Sequence, residues 1–177
     1  MKQGNKLKLT VVSAILAAGM AMPEGAADLK LMTGPQGGSW YPLGGAIKNL
    51  VEKSMDGSSV QVLPGAGIAN VKAVETGKAE LGFANSVSTV DAINGKPPFD
   101  SKAGNVCNVA TLYPQYFQVV TLASDGMNSP ADFKGKSLAA QKKGNTGEAI
   151  PAHLLQAYGM NYDDMSRVNY GSYTDSV

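Results

Sequence analysis

Leu29-Lys30-Leu31-Met32-Thr33-Gly34-Pro35-Gln36-Gly37-Gly38-Ser39-Trp40-Tyr41-Pro42-Leu43, continuing to Val51, holds a strand, a glycine-rich turn and a helix in that order. Leu29 to Thr33 is a short apolar run of strand length. Gly34 to Ser39 is all turn formers and small polar residues. Leu43, Ile47, Leu50 and Val51 then recur at helical spacing, and Asp56-Gly57 closes the helix. The same order returns twice. Val60-Gln61-Val62-Leu63 is a strand, Pro64-Gly65-Ala66-Gly67 a turn, and Ile68, Val71 and Val74 mark a helix stopped at Gly77. Glu80-Leu81-Gly82-Phe83-Ala84 is a third strand. Asn85-Ser86 follows, with Ser86 the expected cap of a short helix through Val87, Val90 and Ile93. Strands alternating with helices predict an α/β fold with a mainly parallel sheet.

Outward from this block the pattern changes. Val106 to Ala123 is strand-like throughout and is expected to carry the chain from one unit into another. Ser129-Pro130 then caps and opens a short helix. Ser137 to Gln141 is a strand, Gly144-Asn145-Thr146-Gly147 a turn, Ile150 to Tyr158 a helix, and Arg167 to Tyr170 a strand. Residues 28–123 are therefore expected to form a first α/β lobe with its crossing strand. Residues 124–177 are expected to begin a second, incomplete lobe, too small to bury much core of its own.

The first residues read as an export signal. Lys2, Lys6 and Lys8 precede an apolar run from Leu9 to Met22, and Gly25-Ala26-Ala27 supplies small residues for cleavage. The run is short for a membrane span, which needs about 20 residues. Cleavage after Ala27 leaves 12 basic and 13 acidic residues. Such a chain carries no basic stripe for nucleic acid, and no later segment for stable membrane insertion. The expected compartment is the periplasm. Cys107 is the single cysteine, so no internal disulfide is possible, and a buried thiol at a strand start is expected.

In an open parallel sheet, ligands bind beyond the carboxyl ends of the strands. There the turns Thr33 to Tyr41, Gly65 to Asn70 and Asn85-Ser86 present backbone N–H groups at helix N-termini, which favour an anion. Three such turns together are expected to make a pocket. Trp40, Tyr41, Tyr113, Tyr116 and Phe117 are candidates to wall in a carbon skeleton. Enzyme chemistry lacks residues. Gly34 to Ser39 has no P-loop lysine, no Ser sits in G-x-S-x-G, and His153 is the one histidine, expected on the surface or in packing. No metal ligand set and no cofactor are expected. Arg167 is the only arginine, so an anion must be held by N–H groups, hydroxyls, amides or lysine.

Met32-Thr33-Gly34-Pro35-Gln36-Gly37-Gly38-Ser39-Trp40-Tyr41-Pro42-Leu43-Gly44 resembles the opening motif T-G-x-x-G-G-T/S-Y/W-Y-x-x-G of the TAXI family. These are the solute receptors of tripartite ATP-independent periplasmic (TRAP) transporters. The resemblance continues through Glu80-Leu81-Gly82-Phe83-Ala84-Asn85, Leu112-Tyr113-Pro114, Ser129 to Lys136, and Gly144-Asn145-Thr146-Gly147. Ala66-Gly67-Ile68 departs from it where the family carries a small hydroxyl residue. The resemblance implies a type II periplasmic-binding-protein fold whose two lobes close over a ligand, with the second lobe incomplete here because family members are considerably longer. It implies no enzymatic activity. It implies a small organic anion, such as glutamate or a dicarboxylate, delivered to TRAP membrane permease subunits. The candidate ligand residues are Thr33, Gly37, Gly38, Ser39, Tyr41, Gly67, Asn85, Ser86 and Tyr113, joined by Asn145, Thr146 and Gly147 from the second lobe. A sensory module signalling to a membrane protein, or a remnant without function, would carry the same residues.

Overall fold

The computed structural model describes residues 27–171. The expected export signal and residues 172–177 lie outside them, apart from Ala27 itself. Two parallel sheets are present. The first is built from β1 (Asp28–Met32), β2 (Ser59–Leu63) and β3 (Leu81–Gly82) in the order β2-β1-β3. Asp28 pairs with Ser59 and Met32 with Leu63 on one side, and Leu31 pairs with Leu81 on the other. Parallel neighbours need a crossover, usually a helix. Here α1 (Trp40–Ser54) and α2 (Gly67–Glu75) supply it, and α3 (Ser86–Asn94) follows β3. The second sheet pairs β4 (Ser137–Gln141) with β5 (Arg167–Gly171), joined through α4 (Thr146–Ala157). The α/β class expected from the alternation is the one observed.

Each unit has its own small core. Ile68, Val71, Ala92 and Phe99 are buried together in the first. Leu155, Met160 and Met165 form the second, with Phe133, Leu138, Tyr162 and Val168 packed against them. Ala149 of α4 reaches across and packs on the first cluster. On α1, the periodic residues Leu43, Ile47 and Val51 are half-buried while Leu50 faces solvent. Gly44 is the closest approach of α1 to the sheet. A Cβ there would stand 2.4 Å from Thr33 Cγ2 and 3.3 Å from Val62 Cγ1.

Three expectations need correction. Ser86 is the first residue of α3, and Asn85 occupies the cap position without a side-chain cap bond. Residues 106–122 form no strand. From Gly104 to Thr121 no backbone-to-backbone hydrogen bond is made among the described residues. Gly104 and Asn105 donate their N–H groups to the Glu75 carboxylate, Val106 packs on the first core, and the rest runs exposed, with Val109 at 78 %, Tyr116 at 81 % and Val120 at 74 %. Strand propensity reflects packing on neighbours, and no neighbouring strand lies beside this segment. Cys107 sits in it and is exposed, contrary to the buried thiol expected.

Several carboxylates replace missing backbone partners. The Glu80 carboxylate accepts from Lys30 N at 2.7 Å, one step beyond the end of the short β3 ladder. Asp132 accepts from Asn128 N and Ser129 N, and Asp164 from Asn161 N, each opening a 3-10 turn (Pro130–Phe133 and Tyr162–Asp164) through a capping box. These backbone donors hold all three carboxyls below the usual carboxylate range. A depressed folded value contributes stability above the unfolded value of about 4, lost as pH falls through the lower folded values. The urea midpoint is therefore expected to stay level from pH 7 to 5 and to drop below pH 4. Glu80→Gln should flatten part of that drop. A midpoint unchanged between pH 5 and 3 would count against these linkages.

Candidate functional site

Asn70 organises the carboxyl end of the first sheet, and nothing in the sequence singled it out. It is fully buried, on the first turns of α2. Its Nδ2 donates to Thr33 O at 2.7 Å and Phe83 O at 2.8 Å, with Met32 O at 3.3 Å. Its Oδ1 accepts from Ala66 N at 3.1 Å. One amide thus ties the ends of β1 and β3 to the turn that opens α2. Gly65 leaves room for it: a Cβ there would lie 2.1 Å from Asn70 Oδ1. The first turn joins through Gly65 N, which donates to Gly34 O, and Trp40 stacks edge-on against Phe83 at 5.8 Å. All three turns therefore lie side by side.

The N-terminus of α4 comes to the same place from the second unit. Thr146 Oγ1 lies 3.0 Å from Ser88 Oγ, both residues being buried. The same oxygen would be 2.5 Å from a Cβ at Gly67, and Asn85 Nδ2 would be 3.6 Å from it. Three helix starts, those of α2, α3 and α4, thus meet around Gly67, Asn85 and Thr146. Neither Ala66 nor Asn85 supplies a side-chain cap bond, and the first turns of α2 and α3 carry no acid. Their N–H groups and positive dipole ends are uncompensated by side chains. At α4, Asn145 Oδ1 caps Gly147 N, and Glu148 stands in the first turn.

The remaining candidates divide by position. Thr33 is buried, and its hydroxyl donates to Leu63 O at 2.9 Å, which pins β1 to β2. Asn145 is also buried, its Nδ2 donating to Gln141 Oε1, and a Cβ on Gly147 would strike Gln141 Cγ at 2.4 Å. These three hold the turns in shape. Gly37, Gly38, Ser39 and Tyr41 form the turn into α1; Gly37 and Ser39 are exposed, Gly38 and Tyr41 partly so, and Gly37 adopts φ 91°. Ser86 is exposed beside Asn85. Tyr113 stands in the exposed extended segment with Gln115 as its hydrogen-bond partner. The cavity beside Ser88 and Thr146 has a volume of about 20 Å³, walled also by Ile68, Asp91, Phe99 and His153. That is room for a water and not for an organic anion. His153 is exposed on α4, as its helical position suggested.

Two solved structures resemble this chain in fold. The alkanesulfonate-binding protein SsuA from Xanthomonas axonopodis pv. citri, bound to MOPS, is similar at 16 % identity and TM-score 0.48, over 84 % of this chain and 49 % of that one. The periplasmic aliphatic sulphonate binding protein SsuA from Escherichia coli is similar at 18 % identity and TM-score 0.44, over 85 % of this chain and 46 % of that one. This chain spans about half the length of each. A family model matches residues 31–177, from inside β1 through both parallel sheets, and the chain belongs to the NMT1-like family.

Proposed function

We propose that this chain is the receptor portion of a periplasmic solute-binding protein of the TAXI type. It captures a small organic anion, such as glutamate or a dicarboxylate, for a TRAP membrane permease. The observation that carries the reading is the meeting of three helix starts at Gly67, Asn85 and Thr146. Two of them lack both a capping side chain and a first-turn acid. Such a place favours a carboxylate without needing arginine. The turn Gly37-Gly38-Ser39, which follows β1 and carries the motif that resembles TAXI receptors, offers the exposed Ser39 residue at the same end of the sheet. The residues hold no nucleophile paired with a base, so the reading is binding without turnover.

Titration calorimetry of the chain against glutamate, succinate and a sulfonate of matched length tests this. Saturable binding is expected. The double substitution Ser39→Ala with Asn85→Ala is expected to weaken it by about 10- to 100-fold, the worth of hydrogen bonds to a charged group. Full affinity in the double variant would remove these turns from the site.

A further inference from the structure

We infer that Gly67, Ser88 and Thr146 form a latch that sets how closely the two units close, and that an entering anion must displace. The inference rests on the receptor reading only for that last clause. Gly67 is buried at the first position of α2. Its φ is not in the left-handed region, so backbone conformation does not demand glycine there. Space does. A Cβ would stand 2.5 Å from Thr146 Oγ1, nearer than real Cβ atoms come. The obstacle belongs to the other unit, 79 residues along the chain. A side chain at position 67 therefore acts as a wedge between the units and spares the core of either.

The rest of the contact has the same character. Thr146, Ala149, Ile150 and His153 are spaced as one stripe on α4. All four line the small cavity against Ser88 and Asp91 of α3, and Ala149 packs on the first core. The residues at closest approach are small: Gly67, Ser88, Thr146 and Ala149. The buried Ser88 and Thr146 hydroxyls have one another as partners. Each satisfies the other when the units are together, and each is released to water or to an anion when they separate. A solute carboxylate at the starts of α2 and α3 would take the place of the Thr146 hydroxyl.

The test reads closure directly, without added anion. Spin labels at Ser54→Cys and Ala157→Cys, in a Cys107→Ser background of the full chain, report the distance between units. A single narrow distribution is expected for the parent. Gly67→Val should shift it to longer, broader distances. Ser88→Ala should raise the open population about three- to tenfold, the worth of one hydrogen bond. Thr146→Ser, which keeps the hydroxyl, should hold the parent distance. Circular dichroism of each variant establishes that the sheets are intact. A parent-like distance in Gly67→Val, or an identical response of Ser88→Ala and Thr146→Ser, would overturn the latch. Succinate titration in the same labelled chains reports separately. Absence of succinate, glutamate and sulfonate binding, with the distance shifts intact, removes the receptor reading and leaves the latch.

Discussion

Asn70→Ala is expected to lower the unfolding free energy by about 3–5 kcal/mol, the range for breaking a buried hydrogen-bond network. The amide meets Thr33 O, Phe83 O and Met32 O through Nδ2, and Ala66 N through Oδ1. Alanine leaves Thr33 O, Phe83 O and Ala66 N without this partner, while Met32 O keeps Phe83 N as a donor, and each buried orphan costs about 1–3 kcal/mol. Asn70→Asp should be no milder. It keeps the acceptor for Ala66 N but turns a second acceptor toward carbonyl oxygens. Urea unfolding followed by far-ultraviolet dichroism measures the change. A loss under about 1 kcal/mol would mean that the strand ends find other donors, and that Asn70 is not their organiser.

Leu155→Ala is the second large effect, at about 2–5 kcal/mol. Leu155 is 1 % exposed and sits in the second core, where Met160 and Met165 are its buried companions. A unit with so few buried residues has little to collapse into the cavity. The loss should also be local. Amide exchange is expected to quicken in β4 and β5 while β1 and β2 keep their protection. Equal loss of protection in both sheets would show that the units unfold as one.

Much of the framework was legible because local chemistry decides it. Ser129-Pro130 announces a helical turn, and the structure adds a capping box that includes Asp132. Gly77, Gly95 and Gly159 follow α2, α3 and α4, each with a positive φ, where sequence reading puts helix stops. The strands 59–63 and 137–141 are short runs between turn formers. What was not legible is decided by distant partners. Asn70 and Ser88 are polar residues within helical runs, and such positions read as solvent-facing; only the strand ends and Thr146 make them interior. The Thr33 hydroxyl and the Asn145 amide have framework partners in Leu63 O and Gln141 Oε1, and a one-letter sequence does not show such partners. Residues 106–122 show the converse. Their composition is that of a strand, but strand pairing is a property of two segments, and one of them was assumed.

The exposed run from Cys107 to Thr121 has a consequence for the contact at Thr146. Among the described residues it is the one covalent connection between the two sheets. A flexible chain of that length has a root-mean-square span on the order of 20 Å. It therefore holds each unit in the other's neighbourhood at an effective concentration on the order of millimolar. Two free surfaces as small as a glycine, two hydroxyls and an alanine would scarcely associate from dilute solution. Held on such a tether, they need an intrinsic dissociation constant only about tenfold below millimolar to be together about nine-tenths of the time. Intramolecular association at that strength is quickly undone, so a modest ligand is enough to compete with it, and shortening the tether would make that competition harder without altering a single atom of the contact.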